Sequence, residues 1–140
     1  MGQSHMSRIM ADNDVVGHVR VLVQLCESPP WAELWHESEC ELSSFVDLGL
    51  AEDASDAQVW QACQQNEVVL ITGNRNAEGP QSLEVTIRQH NNERCLPVLT
   101  LADQDRIFRD RHYCHAIAER LLEILFDLDN LRGSARLYLP

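Results

Sequence analysis

Lysine does not occur anywhere in this 140-residue chain. All eleven basic residues are arginine, set against 22 acidic ones, and the net charge is −11. That balance excludes nucleic-acid binding through a broad basic surface, because such binding depends on Lys or Arg displacing counterions from phosphates. Contact with RNA would need a local arginine cluster, or a metal ion to offset the acids. The same acidity suits a cationic partner. No apolar run reaches the roughly 18 residues of a membrane span. No signal-peptide pattern opens the chain, so the expected location is the cytoplasm. Paired CxxC spacing is missing too. Cys26, Cys40, Cys63, Cys95 and Cys114 are scattered, as reduced and mostly buried thiols are. There is no internal repeat and no low-complexity tract.

What is present is ordinary globular material: 44% apolar and 24% charged residues, in a chain long enough for one domain with a core. Residues 1–5, MGQSH, read as a cloning remnant before Met6, which leaves 6–140 as a single domain. Within it, "SRIMA" is a strand candidate. "NDVVGHVRVLVQLC" follows, with Val15, Val16, Val19, Leu22, Val23 and Cys26 at helical spacing, and Pro29 and Pro30 close that stretch. "WAELWHESE" is a short helix that sets Trp31 and Trp35 on one side, suited either to core packing or to an interface. "ELSSFVDLGL" reads as a strand running into a turn at Gly49.

"EDASDAQVWQACQQN" is a helix capped by Asp53 or Ser55. "EVVLIT" is a buried strand, "GNRNAEGP" a loop, "QSLEVTIRQHN" a helix and "CLPVLTL" another buried strand. "RHYCHAIAERLLEILFDLD" is the longest helix, ended at Gly133, and "ARLYLP" is a last strand. Continuous apolar strands alternating with amphipathic helices predict a single three-layer α/β/α domain. Its sheet is mainly parallel, of about five strands.

In such sheets ligands bind beyond the carboxyl ends of the strands. The residues expected there are Asp12 and Asp14 after the first strand and Asp47 after the second. Thr72, Asn74 and Asn76 follow the third strand, and Asp103 and Asp105 the fourth. Asp56 joins the same edge from a helix start. Converging carboxylates repel one another and call for a hard cation, Mg²⁺ or Mn²⁺, with oxygen ligands. Such ions activate water and stabilise phosphodiester transition states. Taken singly, each acid has a plainer role as a helix cap: Asp12 for the first helix, Asp56 for the third and Asp103 for the last. His112, Cys114 and His115 crowd one stretch. They read either as metal ligands or as a polar helix start with one buried thiol.

The stretch "DLGLAEDASDAQVWQACQQNEVVLITGNRN", preceded by "IMADND", resembles the core of the PIN-like domains, in particular their short bacterial branch. The resemblance covers residues 8–76 and is architectural beyond. It implies a metal-dependent ribonuclease, toxin-like or degenerate. In that picture Asp12 and Asp56 are the catalytic acids, and Asp12, Asp14, Asp56, Asn74 and Asp103 the metal ligands. Thr72, Arg75 and Asn76 lie at the substrate. Arg75 is also a plain solvated loop arginine on sequence grounds; as a guanidinium it suits phosphate. The loop departs from the family pattern, because Asn74 and Asn76 stand where an Asp is usual; an amide ligates through its carbonyl but brings no charge. The implied partners are RNA, an antitoxin-like protein and a second copy of the chain.

Two other readings share these residues. "ADNDVVG" and "VVLITGN" are similar to the first two motifs of haloacid-dehalogenase-type phosphatases, with Asp12 as nucleophile, Asp14 as acid/base and Thr72 holding phosphate. That family uses a lysine, and none is present. The other is a non-catalytic PIN-like binding or dimerisation module.

Overall fold

The computed structural model of the chain describes residues 7–140; residues 1–5, read above as a cloning remnant, and Met6 lie outside them. Its strands are β1 (Arg8–Ala11), β2 (Glu41–Ser43), β3 (Val69–Thr72), β4 (Val98–Leu101) and β5 (Arg136–Leu139). Its helices are α1 (Val16–Cys26), α2 (Ala32–Ser38), α3 (Asp56–Gln65), α4 (Leu83–His90) and α5 (Arg111–Phe126), with short 3₁₀ turns at 13–15, 104–108 and 128–131. All neighbouring strands pair in parallel, in the order β2-β1-β3-β4-β5. This is an α/β domain with one parallel sheet.

Parallel strands need helical crossovers, and those helices cover both faces of the sheet. That is why β3 and β4 are buried along their whole length. Alternate residues of each strand serve opposite layers. Ile9, Val69, Ile71, Leu99, Leu101 and Leu139 pack with α1 and α5 residues such as Leu22, Ile117 and Leu121. Met10, Val68, Leu70 and Val98 pack with Val59, Trp60 and Cys63 of α3 and with Leu83 and Ile87 of α4. Each fully buried aliphatic side chain contributes about 1.5–3 kcal/mol relative to exposure.

Trp31 and Trp35 are partly buried against the α1/α5 layer, and the Trp31 indole N–H donates to His115 Nδ1 at 2.9 Å. The pair fastens α2 to α5, so the packing use of these two residues is the observed one.

Helix starts follow their capping chemistry. Ser55, not Asp53, caps α3: its hydroxyl accepts from Gln58 N, and the Gln58 side chain accepts from Ser55 N, a closed capping box. Asp110 caps α5 by accepting from Tyr113 N. Asp103 precedes a 3₁₀ turn and makes no side-chain cap bond.

One strand is shorter than its sequence suggests. β2 stops at Ser43, and Asp47 lies in a turn where its carboxylate accepts from Ser44 N at 2.9 Å. Strand composition continues to Val46, but Ser44 and Asp47 turn the chain first, the Asp47 carboxylate accepting from Ser44 N and the Ser44 hydroxyl from Asp47 N at 3.3 Å. Asp47 therefore belongs to a surface turn.

Candidate functional site

The chain passes from β1 to β2 on one side of the sheet and returns to β3 on the other side of β1. The order reverses between β1 and β3, and ligand crevices of doubly wound sheets open at such a switch point. Asp12, Asp14, Thr72 and the 73–76 loop stand at this place.

Asp12 directly follows β1 and is tied to β3 twice. Its N–H donates to Ile71 O at 2.8 Å, and its Oδ2 accepts from the Thr72 hydroxyl at 2.9 Å. Its Oδ1 accepts from Asn13 N. Thr72 is fully buried, and its oxygen also accepts from Asn74 N at 3.0 Å. One hydroxyl thus orients both the first acid and the loop. Asp14, two residues on, accepts from Gly73 N at 3.2 Å. A side chain at position 73 would run into the Gln104 amide and come within 3.0 Å of Asp14 Oδ2. Glycine there lets the loop lie against the Asp14 carboxylate.

Asp56 enters from the first turn of α3. Its Oδ2 accepts from Asn74 Nδ2 at 3.0 Å and from Leu83 N, at the start of α4, at 3.1 Å. Asn74 Oδ1 in turn accepts from Asn76 N at 2.7 Å, and Asn76 Oδ1 accepts from Glu78 N. Asparagine at 74 therefore presents its amide N–H to the carboxylate. To ligate a cation, its amide would have to turn over.

The electrostatics follow from burial and like charge. Burial pushes the Asp12 carboxyl above its ordinary value of 3.8, and the Asp56 charge adds to that, against the opposing Thr72 and Asn13 bonds. Asp14 is raised by burial and then by the Asp12 charge, opposed by Gly73 N and His18. No arginine forms an ion pair with Asp12, Asp14 or Asp56 among the described residues.

The nearby arginines bond elsewhere than to these acids. Arg75 Nη2 donates to Ala102 O at 2.6 Å, and its guanidinium stands 5.8 Å from the Tyr138 ring centroid. Arg136, on β5, is the residue that sequence reading missed. Its Nη1 donates to Asn74 O at 2.9 Å and to Thr100 Oγ1 at 2.6 Å. Its Nε and Nη2 hold Glu84 Oε1 at 3.3 and 3.1 Å. The alternation in "ARLYLP" was the available signal: Leu137 faces the α1/α5 layer, so Arg136 and Tyr138 take the other face.

Asp12, Asp14, Thr72, Asn74 and Asp56 are thus brought into one bonded group. Arg75 and Asn76 border it on the loop. Asp103 is exposed beyond β4, and no hydrogen bond ties it to that group. The oxygens suit a hard cation in type, and each of the three acids keeps lone pairs beyond the bonds named. Among the described residues, however, no three His, Cys, Asp or Glu side chains close into a formed metal cage.

His112, Cys114 and His115 also stay apart. His112 is exposed, Cys114 Sγ donates to Ile107 O, and His115 is taken by Trp31. All five cysteines are free, and burial raises the Cys26, Cys40 and Cys63 thiols to about 12.

Beside the acidic edge, a groove of about 330 Å³ runs between the ends of β1 and β2, lined by Val16, Leu42, Phe45 and Val46 among others. No helix of the described residues is long and apolar enough to cross a membrane. Comparison with family models, curated proteins and solved structures gives no match.

Proposed function

We propose that the chain is a Mg²⁺- or Mn²⁺-dependent endoribonuclease of PIN-like type, with an acidic site thinned in the loop after β3. The observation that carries this reading is the meeting of Asp12, Asp14 and Asp56 at the β1/β3 switch point without an arginine to neutralise them. Like charge gathered at a crevice costs stability unless a ligand relieves it, and perturbed carboxylates in such places mark functional sites.

Asp12 and Asp14 would hold the ion, with the Asp56 charge acting on Asp12 from nearby. The bound ion would supply activated water and charge relief for cleavage of an RNA phosphodiester. The chain's own residues do the positioning. Thr72 fixes the Asp12 carboxylate, and Gly73 N fixes Asp14. Arg75 supplies the guanidinium next to the edge that an acidic protein needs for contact with phosphate. Its acidity also fits a cationic, antitoxin-like partner, and free thiols fit a reducing compartment such as the cytoplasm.

A second reading, a non-catalytic PIN-like module, is favoured by the Asn74 Nδ2–Asp56 bond, which satisfies with an amide a carboxylate that would otherwise face an ion. Calorimetric titration with Mn²⁺ and Mg²⁺ separates the two. The nuclease reading expects binding by the wild type that is lost in Asp12→Asn, together with loss of metal-stimulated RNA cleavage in Asp12→Asn and Asp56→Asn. Absence of binding at millimolar metal would leave the module.

A further inference from the structure

The register of the sheet places four residues in one transverse row. Thr72 pairs with Thr100, and Thr100 with Tyr138. Asp12, one residue past the Ala11–Ile71 pair, stands level with Thr72 and bonds to it. All four belong to the α3/α4 side, because the residues between them serve the opposite layer. With strands about 4.8 Å apart, Tyr138 lies roughly 10 Å along the row from Thr72.

Tyr138 differs from the exposed Phe108 in its surroundings. Phe108 rests on His18, with ring centroids 4.4 Å apart. Tyr138 is 52% exposed at the carboxyl end of an edge strand, and the Arg75 guanidinium lies by its ring. That guanidinium is fixed by Ala102 O, and the 73–76 loop that carries it is anchored from below by Arg136. A half-open aromatic ring beside a fixed arginine, level with Asp12 and on the same face, has the composition of a single-strand platform. The ring stacks a base, and the guanidinium takes the adjoining phosphate.

We propose that Tyr138 and Arg75 form a base-stacking subsite for single-stranded RNA, holding a nucleotide that flanks the phosphate presented to Asp12. This deepens the proposed nuclease function and rests on it. Stacking tolerates every base, so the subsite selects unpaired strands rather than a sequence. It also explains how a chain of net charge −11 engages RNA through one local contact instead of a basic surface.

The test is Mn²⁺-dependent cleavage of a short unstructured RNA by the full chain, comparing wild type, Tyr138→Ala, Tyr138→Phe and Asp12→Asn. The expected result is a KM raised roughly 5- to 100-fold in Tyr138→Ala, as loss of one stacked base requires, with kcat retained. Tyr138→Phe should behave as the wild type. An RNA abasic at the one contacted position should lower the wild type to the level of Tyr138→Ala and leave that variant unchanged. A wild-type KM in Tyr138→Ala, with cleavage still abolished by Asp12→Asn, overturns the subsite and leaves the nuclease reading intact. Should the wild type not cleave, the nuclease reading falls. Anisotropy with the same RNA then decides the subsite: weaker binding by Tyr138→Ala alone supports it, and equal or absent binding ends it.

Discussion

Arg136→Met removes a side chain that ties the 73–76 loop to both β4 and α4, while keeping most of the aliphatic stem. The Arg136 side chain is 9% exposed and the Glu84 side chain 25% exposed. Breaking a fully buried pair by removing one partner costs about 3–5 kcal/mol, because the other charge is left without compensation. Glu84 keeps some access to water and has Arg88 one turn on, at 3.6 Å. Partial solvation brings the loss to about 2–3 kcal/mol, including the bonds to Asn74 O and Thr100 Oγ1. For a chain of this size that lowers Tm by roughly 10 °C. Urea unfolding followed by circular dichroism reads it directly, with the midpoint falling and the slope unchanged. Glu84→Gln, which leaves the arginine its two other acceptors, should cost about half as much. A Tm within a degree or two of wild type for Arg136→Met would refute the reasoning. The loop would then hold itself through Thr72, Asn74 and Asn76 alone.

The remaining predictions concern the acids and the helix anchors. Asp12 is held above 3.8 by burial and by Asp56, so its ionised form costs stability at neutral pH. That cost disappears as pH falls through the raised value toward 3.8. Asp12→Asn should therefore raise Tm near pH 7 and remove this part of the acid-side gain; an unchanged pH profile would show that the charge is not strained. Thr72→Val deletes a buried hydroxyl that donates to a carboxylate and accepts from Asn74 N, and should cost about 1.5–3 kcal/mol in urea unfolding. Ser55→Ala opens the capping box of α3 and should cost about 1 kcal/mol by the same assay. Trp31→Phe keeps the ring packing but loses the bond to His115, for about 1 kcal/mol; no change would mean that packing alone holds α2.

Much of the fold was legible because periodicity and capping are local. The spacing of Val19, Leu22 and Cys26, the continuous run before Thr72, and Ser55 ahead of Asp56 each mark an element through interactions that span a few residues. Errors arose where a nearby side chain overrode composition. Asp47 turned the chain after Ser43 although strand-like residues continue. Asp110 rather than Asp103 capped α5, because a 3₁₀ turn intervenes. At the candidate site, the rule about strand ends singled out Asp12, Asp14, Thr72 and Asn74, all of which lie together. It also singled out Asp103, which has no bond to them. The alternation in "ARLYLP" gives Arg136 and Tyr138 a common face of the sheet, but nothing within a few residues of either points to the loop they meet.

The sequence by itself determined that this is one α/β domain with buried parallel strands, a large acidic excess and no lysine. Burial pattern, caps and charge are properties of neighbours along the chain. Only the tertiary structure decided which carboxylates meet, that Asn74 turns its amide N–H toward Asp56, and that Arg136 is spent inside the protein rather than offered to a ligand. The physical reason is the strand order. By seating β3 against β1 and β5 beyond β4, the sheet brings residues from opposite ends of the chain into one register row, and no local pattern encodes that order.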